Sequence, residues 1–149
     1  MKIAIGCDHG GIILKPAIID LLQKRGIEVL DMGCQEGQSV DYPEYGQKVA
    51  EAVADGTCDK GIVICGTGIG ISIAANKVKG IRAAVCHDVF TATMCAQHND
   101  ANVLALGGRV LQKEDALAMV QAWLDTPFEG GRHIARLNKI RDIEQKYFR

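Results

Sequence analysis

Residues 61–72 read Gly-Ile-Val-Ile-Cys-Gly-Thr-Gly-Ile-Gly-Ile-Ser. The first five form a short apolar run with β-branched residues, the pattern of a strand buried on both faces. Glycines then alternate with other residues up to Gly70, and an apolar helical pattern starts at Ile69. A buried strand that turns through glycines into a helix is the repeating junction of a parallel α/β sheet.

Working outward, the same alternation fills the chain. Runs at 3–7, 27–32, 81–86 and 102–106 read as further strands. Helical patterns occupy 12–25, 43–54, 69–78, 89–97 and 113–124. Gly26 closes the first helix, Pro43 suits the first turn of the second, and Gly80 separates the third from the next strand. Pro16 is tolerated only near a helix start, which places the start of the first helix close to Gly11. The expectation is an α/β, Rossmann-like three-layer sandwich with a five-stranded parallel sheet, one domain over residues 1–149. A sixth helix at 132–148 carries Ile134, Leu137, Ile140 and Ile143 at steps of three. Each step falls about 60° short of a full circle, so the stripe drifts around the helix. Such a helix either docks on its own sheet or packs partly on a partner subunit.

Composition narrows the function. Hydrophobic residues make up 48% and charged residues 23% of the 149, with 17 glycines and 3 prolines, as in a folded globular protein. Seventeen basic against eighteen acidic residues provide no strong positive field, which argues against nucleic-acid binding. No apolar run approaches the roughly 18 residues of a membrane span and no signal-peptide layout opens the chain, so a cytoplasmic protein is expected. The six cysteines form no Cys-x-x-Cys pair, and His87, Cys95 and His98 lack the paired short spacings of structural zinc modules. Free thiols and no metal are expected.

In an open parallel sheet, ligands bind beyond the carboxyl ends of the strands. Two glycine-bearing segments fall there: Gly6-Cys7-Asp8-His9-Gly10-Gly11 after the first strand, and the loop following Cys65. The second is neither a Walker A motif nor Gly-x-Gly-x-x-Gly, so nucleotide binding is unsupported. Cys65 ends a central strand just before a helix entry, where dipole and backbone donors favour a thiolate, which makes it a candidate base or nucleophile. Asp8 and His9 share that sheet edge and would be costly to bury unpaired. Asp88 suits a helix N-cap better than a ligand contact. Arg109 follows the fifth strand. Arg132 and Arg136, four apart, present either a two-armed grip on a phosphate or a solvated helix face.

Taken together and in order, Gly6-Cys7-Asp8-His9, Asp41-Tyr42-Pro43, the run from Ile64 to Lys77, Gln97-His98-Asn99-Asp100 and Glu129-Gly130-Gly131-Arg132-His133 resemble the ribose-5-phosphate isomerase B family. That family also holds isomerases of galactose 6-phosphate and allose 6-phosphate. The resemblance implies interconversion of ribose 5-phosphate and ribulose 5-phosphate without metal or organic cofactor. It casts Cys65 as the base that moves a proton between C2 and C1, and His98, assisted by Thr67, as the group that opens the furanose ring. Gly66, Gly68, Ile69 and Gly70 would cradle the enediolate oxygen. Asp8, His9, Asn99, Arg109, Arg132 and Arg136 match positions that contact sugar or phosphate. The chemistry needs a base and preorganised donors in one small site, and a strand-end cysteine with a glycine-rich helix entry supplies both.

His98 closes a helix that runs back toward the amino ends of the strands, opposite Cys65. A homodimer with sites shared between subunits is therefore expected, Cys65 from one chain meeting His98 and Asn99 of the other; pairing into a tetramer stays open. Two rival readings remain: the same chemistry on a six-carbon sugar phosphate, and a non-catalytic module that only binds a phosphosugar.

Overall fold

A computed structural model describes all 149 residues. Eleven elements follow one another: β1 (Lys2–Cys7), α1 (Lys15–Lys24), β2 (Glu28–Asp31), α2 (Tyr42–Ala54), β3 (Lys60–Cys65), α3 (Ile69–Ala75), β4 (Ala83–Val85), α4 (Val89–Asn99), β5 (Val103–Gly107), α5 (Lys113–Asp125) and α6 (Arg132–Tyr147). The five strands form one sheet in the order β2-β1-β3-β5-β4, and every neighbouring pair is parallel.

Side chains alternate across the sheet, as a period of two requires. Ile3, Ile5, Cys7, Ile62, Ile64, Leu104 and Leu106 face one layer, with Ile18 and Leu22 of α1, Cys95 of α4, and Met119 and Trp123 of α5. Ala4, Val63, Cys65, Val103 and Ala105 face the other, against Val49 of α2 and Ile71 of α3. The second layer packs closer. A Cβ on Gly61 would lie 2.5 Å from a Val49 methyl, and one on Gly6 2.8 Å from the other, so α2 sits at a distance only glycine permits. Trp123 is fully buried, and its indole N–H donates to the Ala101 carbonyl at 3.0 Å, which removes the cost of an unpaired donor.

The chain leaves β1 toward one edge of the sheet and leaves β3 toward the other, so α1, α4 and α5 cover one face and α2 and α3 the opposite one. The winding reverses between those two strands, and in such a sheet ligands bind beyond the carboxyl ends at that point.

The structure corrects several expected boundaries. The first helix begins at Lys15 and not near Gly11, because Gly11 is wedged against β3: a Cβ there would sit 2.5 Å from the Ile64 carbonyl oxygen. Pro16 falls in the first helical turn, where its missing N–H costs nothing. The third helix stops at Ala75, short of Val78. Asn76 caps it and bonds Ala83 in both directions, its amide donating to the carbonyl at 2.9 Å and its oxygen accepting the N–H at 2.8 Å. The outer strands β2 and β4 are shorter than expected. α6 does not dock on its own sheet. Only His133 is buried along its length, and Ile134, Ile140 and Ile143 of the drifting stripe are 43–57% exposed.

Candidate functional site

Two groups of expected site residues lie at opposite ends of the sheet. At the carboxyl ends, the loops after β1 and β3 run side by side. The Asp8 N–H donates to the Ile64 carbonyl at 3.1 Å, which sets Asp8 beside the end of β3. Its carboxylate accepts the Gly10 N–H at 2.8 Å and is nearly buried.

Cys65 closes β3, is buried, and its Sγ accepts the Gly68 N–H at 3.2 Å. That contact depends on backbone geometry. Gly68 has φ +81°, and a Cβ there would approach the Leu106 carbonyl carbon to 2.9 Å, so only glycine lets the chain turn back onto the sulphur. Thr67 Oγ1 accepts the Ile69 N–H at 3.2 Å, which leaves its hydroxyl proton free to donate outward. β5 completes this edge: the Gly108 N–H donates to the Cys65 carbonyl at 2.8 Å and the Arg109 N–H to the Gly66 carbonyl at 2.9 Å. The Arg109 guanidinium then lies over Gly66, with Nη1 3.2 Å from where a Cβ would stand. His9 is exposed, and its Nδ1 accepts the Val40 N–H at 3.2 Å, so the neutral ring carries its proton on Nε2 as an outward donor.

The other cysteines serve packing. Burial pushes the Cys7 thiol up to about 12. A hydrogen bond with Cys86 and burial raise Cys95 far above the ordinary thiol range. Both are neutral at physiological pH.

The second group gathers where α4 ends and α6 begins. His98 and Asn99 occupy the last turn of α4. The chain after them adjoins the amino ends of the strands: the Arg82 Nε donates to the Asn99 and Asp100 carbonyls at 3.1 and 3.0 Å, and the Gly61 N–H to the Asn102 carbonyl at 2.9 Å. Cys65 is five residues along β3 from Lys60, so roughly 16 Å of strand separates the two groups within one chain. Arg132 and Arg136, both exposed on the first turns of α6, travel with His98, because the His98 and His133 rings stack with centroids 4.3 Å apart. The Glu129 N–H donates to the Gln97 carbonyl at 3.0 Å and ties the preceding loop to α4 as well.

Ligand atoms of His98, Glu129 and His133 all lie within 4.8 Å of one another. The imidazole planes, however, are only 18° from parallel. Their in-plane lone pairs run side by side, so no cation can lie in both planes at about 2.1 Å from each nitrogen, and the cluster as built does not suit a metal.

Three residues had no role assigned from sequence. Tyr42 lies over the α3 entry, its ring 2.7 Å from the position of a Cβ on Gly70. His133 and Glu129 adjoin His98. Nothing in the sequence spacing distinguishes them, since their placement depends on contacts between separate elements.

The family model described as Ribose/Galactose Isomerase matches residues 3–140. Ribose-5-phosphate isomerase B of Escherichia coli K12 is 54% identical over 145 residues, covering 97% of both chains. The structure of Clostridium thermocellum ribose-5-phosphate isomerase B superposes with a TM-score of 0.97 at 61% identity, covering 99% of each chain. That of Mycoplasma genitalium ribose-5-phosphate isomerase B with bound ribulose 5-phosphate gives a TM-score of 0.94 at 39% identity over 97% of each.

Proposed function

The chain belongs to the ribose/galactose isomerase family, and from that premise we propose that it interconverts D-ribose 5-phosphate and D-ribulose 5-phosphate through an enediolate. The observation that carries this reading is the buried Cys65 sulphur at the β3–α3 junction, receiving the Gly68 N–H beside Arg109 and Asp8. The ribose-type names of relatives at 54% and 61% identity favour a five-carbon over a six-carbon substrate. A base positioned at a sheet edge favours catalysis over mere binding.

In the aldose-to-ketose direction the Cys65 thiolate takes the proton from C2 of the open-chain sugar. The C2–H electrons form the C1–C2 double bond and the C1 carbonyl pair moves onto O1. The backbone from Gly66 to Gly70 meets that oxygen with fixed dipoles, which need no reorganisation as charge develops. A proton passes from O2 to O1, and Cys65 returns its proton to C1. Net, hydrogen moves from C2 to C1 and from O2 to O1, with no oxidant or cofactor. His98 with Thr67 opens the furanose before this step, and Asp8, His9 and Asn99 hold the hydroxyls. Arg109, Arg132 and Arg136 grip the phosphate, which does not react but holds C1 and C2 against the base.

These roles require two copies of the chain. With Cys65 and His98 separated by the depth of the sheet, a single chain cannot bring both to one pentose phosphate. A homodimer in which Cys65, Asp8, His9 and Arg109 of one chain face His98, Asn99, Arg132 and Arg136 of the other satisfies every role. The exposed stripe of α6 is apolar surface for such an interface. Residues 1–149 then act as one sugar-phosphate isomerase domain, and a charged phosphosugar, which does not cross a bilayer unaided, favours the cytoplasm as its site of action. No helix is long and apolar enough to cross a membrane.

The test is ribulose 5-phosphate formation from ribose 5-phosphate in metal-free buffer, wild type against Cys65→Ala. Turnover falling by roughly 100-fold or more, with sugar-phosphate binding retained, is the expected result. Equal turnover in both proteins would show that another group is the base, and wild-type turnover of hexose 6-phosphates alone would move the substrate class.

A further inference from the structure

His133 Nε2 is the one buried side-chain nitrogen or oxygen of the chain with no hydrogen-bond partner. The residue is 3% exposed, and an unpaired buried imidazole nitrogen is costly, so packing alone would be served better by an apolar ring. Two contacts say what the imidazole does. One face stacks on His98 at 4.3 Å between centroids. Its Nε2 lies 3.5 Å from a Glu129 carboxylate oxygen, the one anionic group beside it and just beyond an ordinary hydrogen bond. Glu129 is in turn pinned to α4 through the Gln97 carbonyl, so the pair is braced against the helix that carries His98.

We propose that His133, tethered by Glu129, is a positioning residue for His98: stacking sets the plane in which the His98 nitrogens meet the sugar ring during ring opening. This rests on the isomerase reading above. His98 is half-buried at a helix end, where its side chain otherwise has rotational freedom. A proton-transfer group must hold its nitrogen in the plane of the bond it serves, and small misplacements there are expensive.

Ribulose 5-phosphate separates this role from a general structural one. Its O5 carries the phosphate and its carbonyl is at C2, so it has no furanose to open. Exchange of its C1 hydrogen with D2O requires Cys65 but not ring opening. In His133→Ala, kcat for ribose 5-phosphate isomerisation is expected to fall by about 10–100-fold. KM and the C1 exchange rate should stay within about threefold of wild type. His133→Phe keeps a ring face without the tether, and its kcat should fall between the two. Isomerisation and exchange falling together in His133→Ala would show a structural role and overturn the proposal, as would isomerisation staying within about twofold. A His133→Phe rate no better than that of His133→Ala would remove the stacking argument. Wild type that neither isomerises nor exchanges these pentose phosphates would overturn the isomerase reading, and this inference with it.

Discussion

The two groups of site residues are built by different physics. At the carboxyl ends of β1, β3 and β5, position comes from the backbone: Gly11, Gly68 and Gly108 sit where a Cβ would meet main-chain atoms at 2.5, 2.9 and 2.3 Å. At the α4–α6 junction it comes from side chains, a stacked imidazole pair and two exposed arginines on a helix that touches little of its own chain. The first group is rigid because the sheet makes it so. The second is fixed to the sheet through the buried face of α4, and in the proposed homodimer it meets the first group of a second copy. The division suits the proposed chemistry, with Cys65 and the glycine-loop N–H groups on the stiff half and His98, Arg132 and Arg136 on the half that a second copy would bring in.

The strongest way to break this comparison is complementation. Cys65→Ala and His98→Ala should each lose roughly 100-fold or more in kcat/KM. Coexpressed chains should recover about a quarter of wild-type activity, because half of randomly formed dimers are mixed and each has one intact site of two. No recovery would show that each site is built within one chain.

Next in size are the arginines of the second group. Arg132→Ala and Arg136→Ala should each reduce kcat/KM by about 10–100-fold, the loss of a charge-assisted hydrogen bond to phosphate. Initial rates at graded phosphosugar concentrations should show most of this in KM. A loss confined to kcat would detach these residues from phosphate binding.

Gly11→Ala sharpens the rigidity of the first group. Forcing a methyl against the Ile64 carbonyl should cost about 1–3 kcal/mol, read as a lower urea midpoint, whereas Gly130→Ala in the second group meets only the end of Ile134 at 3.7 Å. The Gly130 penalty comes only from its positive φ of +70°, so it should be the smaller of the two. Equal costs would mean that the loops after β1 and β3 yield as readily as the α6 entry.

The smallest effect concerns the start of α4. The Thr91 N–H donates to Asp88 at 2.7 Å and holds its carboxyl below the usual carboxylate range. A group whose native value is depressed stabilises above its unfolded value and loses that contribution as pH falls through the native one. Asp88→Ala should therefore lower Tm slightly at neutral pH. The difference from wild type should start to shrink below about pH 4 and vanish in stronger acid. A Tm difference that grows on acidification would reverse the assignment.

Much of the fold was legible because its signals are local. Strand runs, glycine punctuation and the Asp88 cap all show within a few residues, and Asp88 does cap α4 with Thr91 in a reciprocal box. The misjudged boundaries share a cause in long-range contacts. α1 starts late because Gly11 must clear β3, and α3 ends early because Asn76 bonds β4. The same holds at the site. Cys65 and its glycines stand out as a contiguous motif, whereas Tyr42 over Gly70 and His133 on His98 are meetings between separate elements.

By itself the sequence determined the alternation of strands and helices, the parallel sheet and the edge where chemistry gathers, since periodicity and glycine placement act over one strand or one turn. It also showed, from the direction of a single helix, that His98 would run away from Cys65. Only the tertiary structure decided which arginines belong to which group, that α6 leaves its apolar stripe uncovered, and that His133 lies buried against His98. Those outcomes depend on the strand order β2-β1-β3-β5-β4 and on how α6 leaves the sandwich, which are products of packing between residues far apart in the chain.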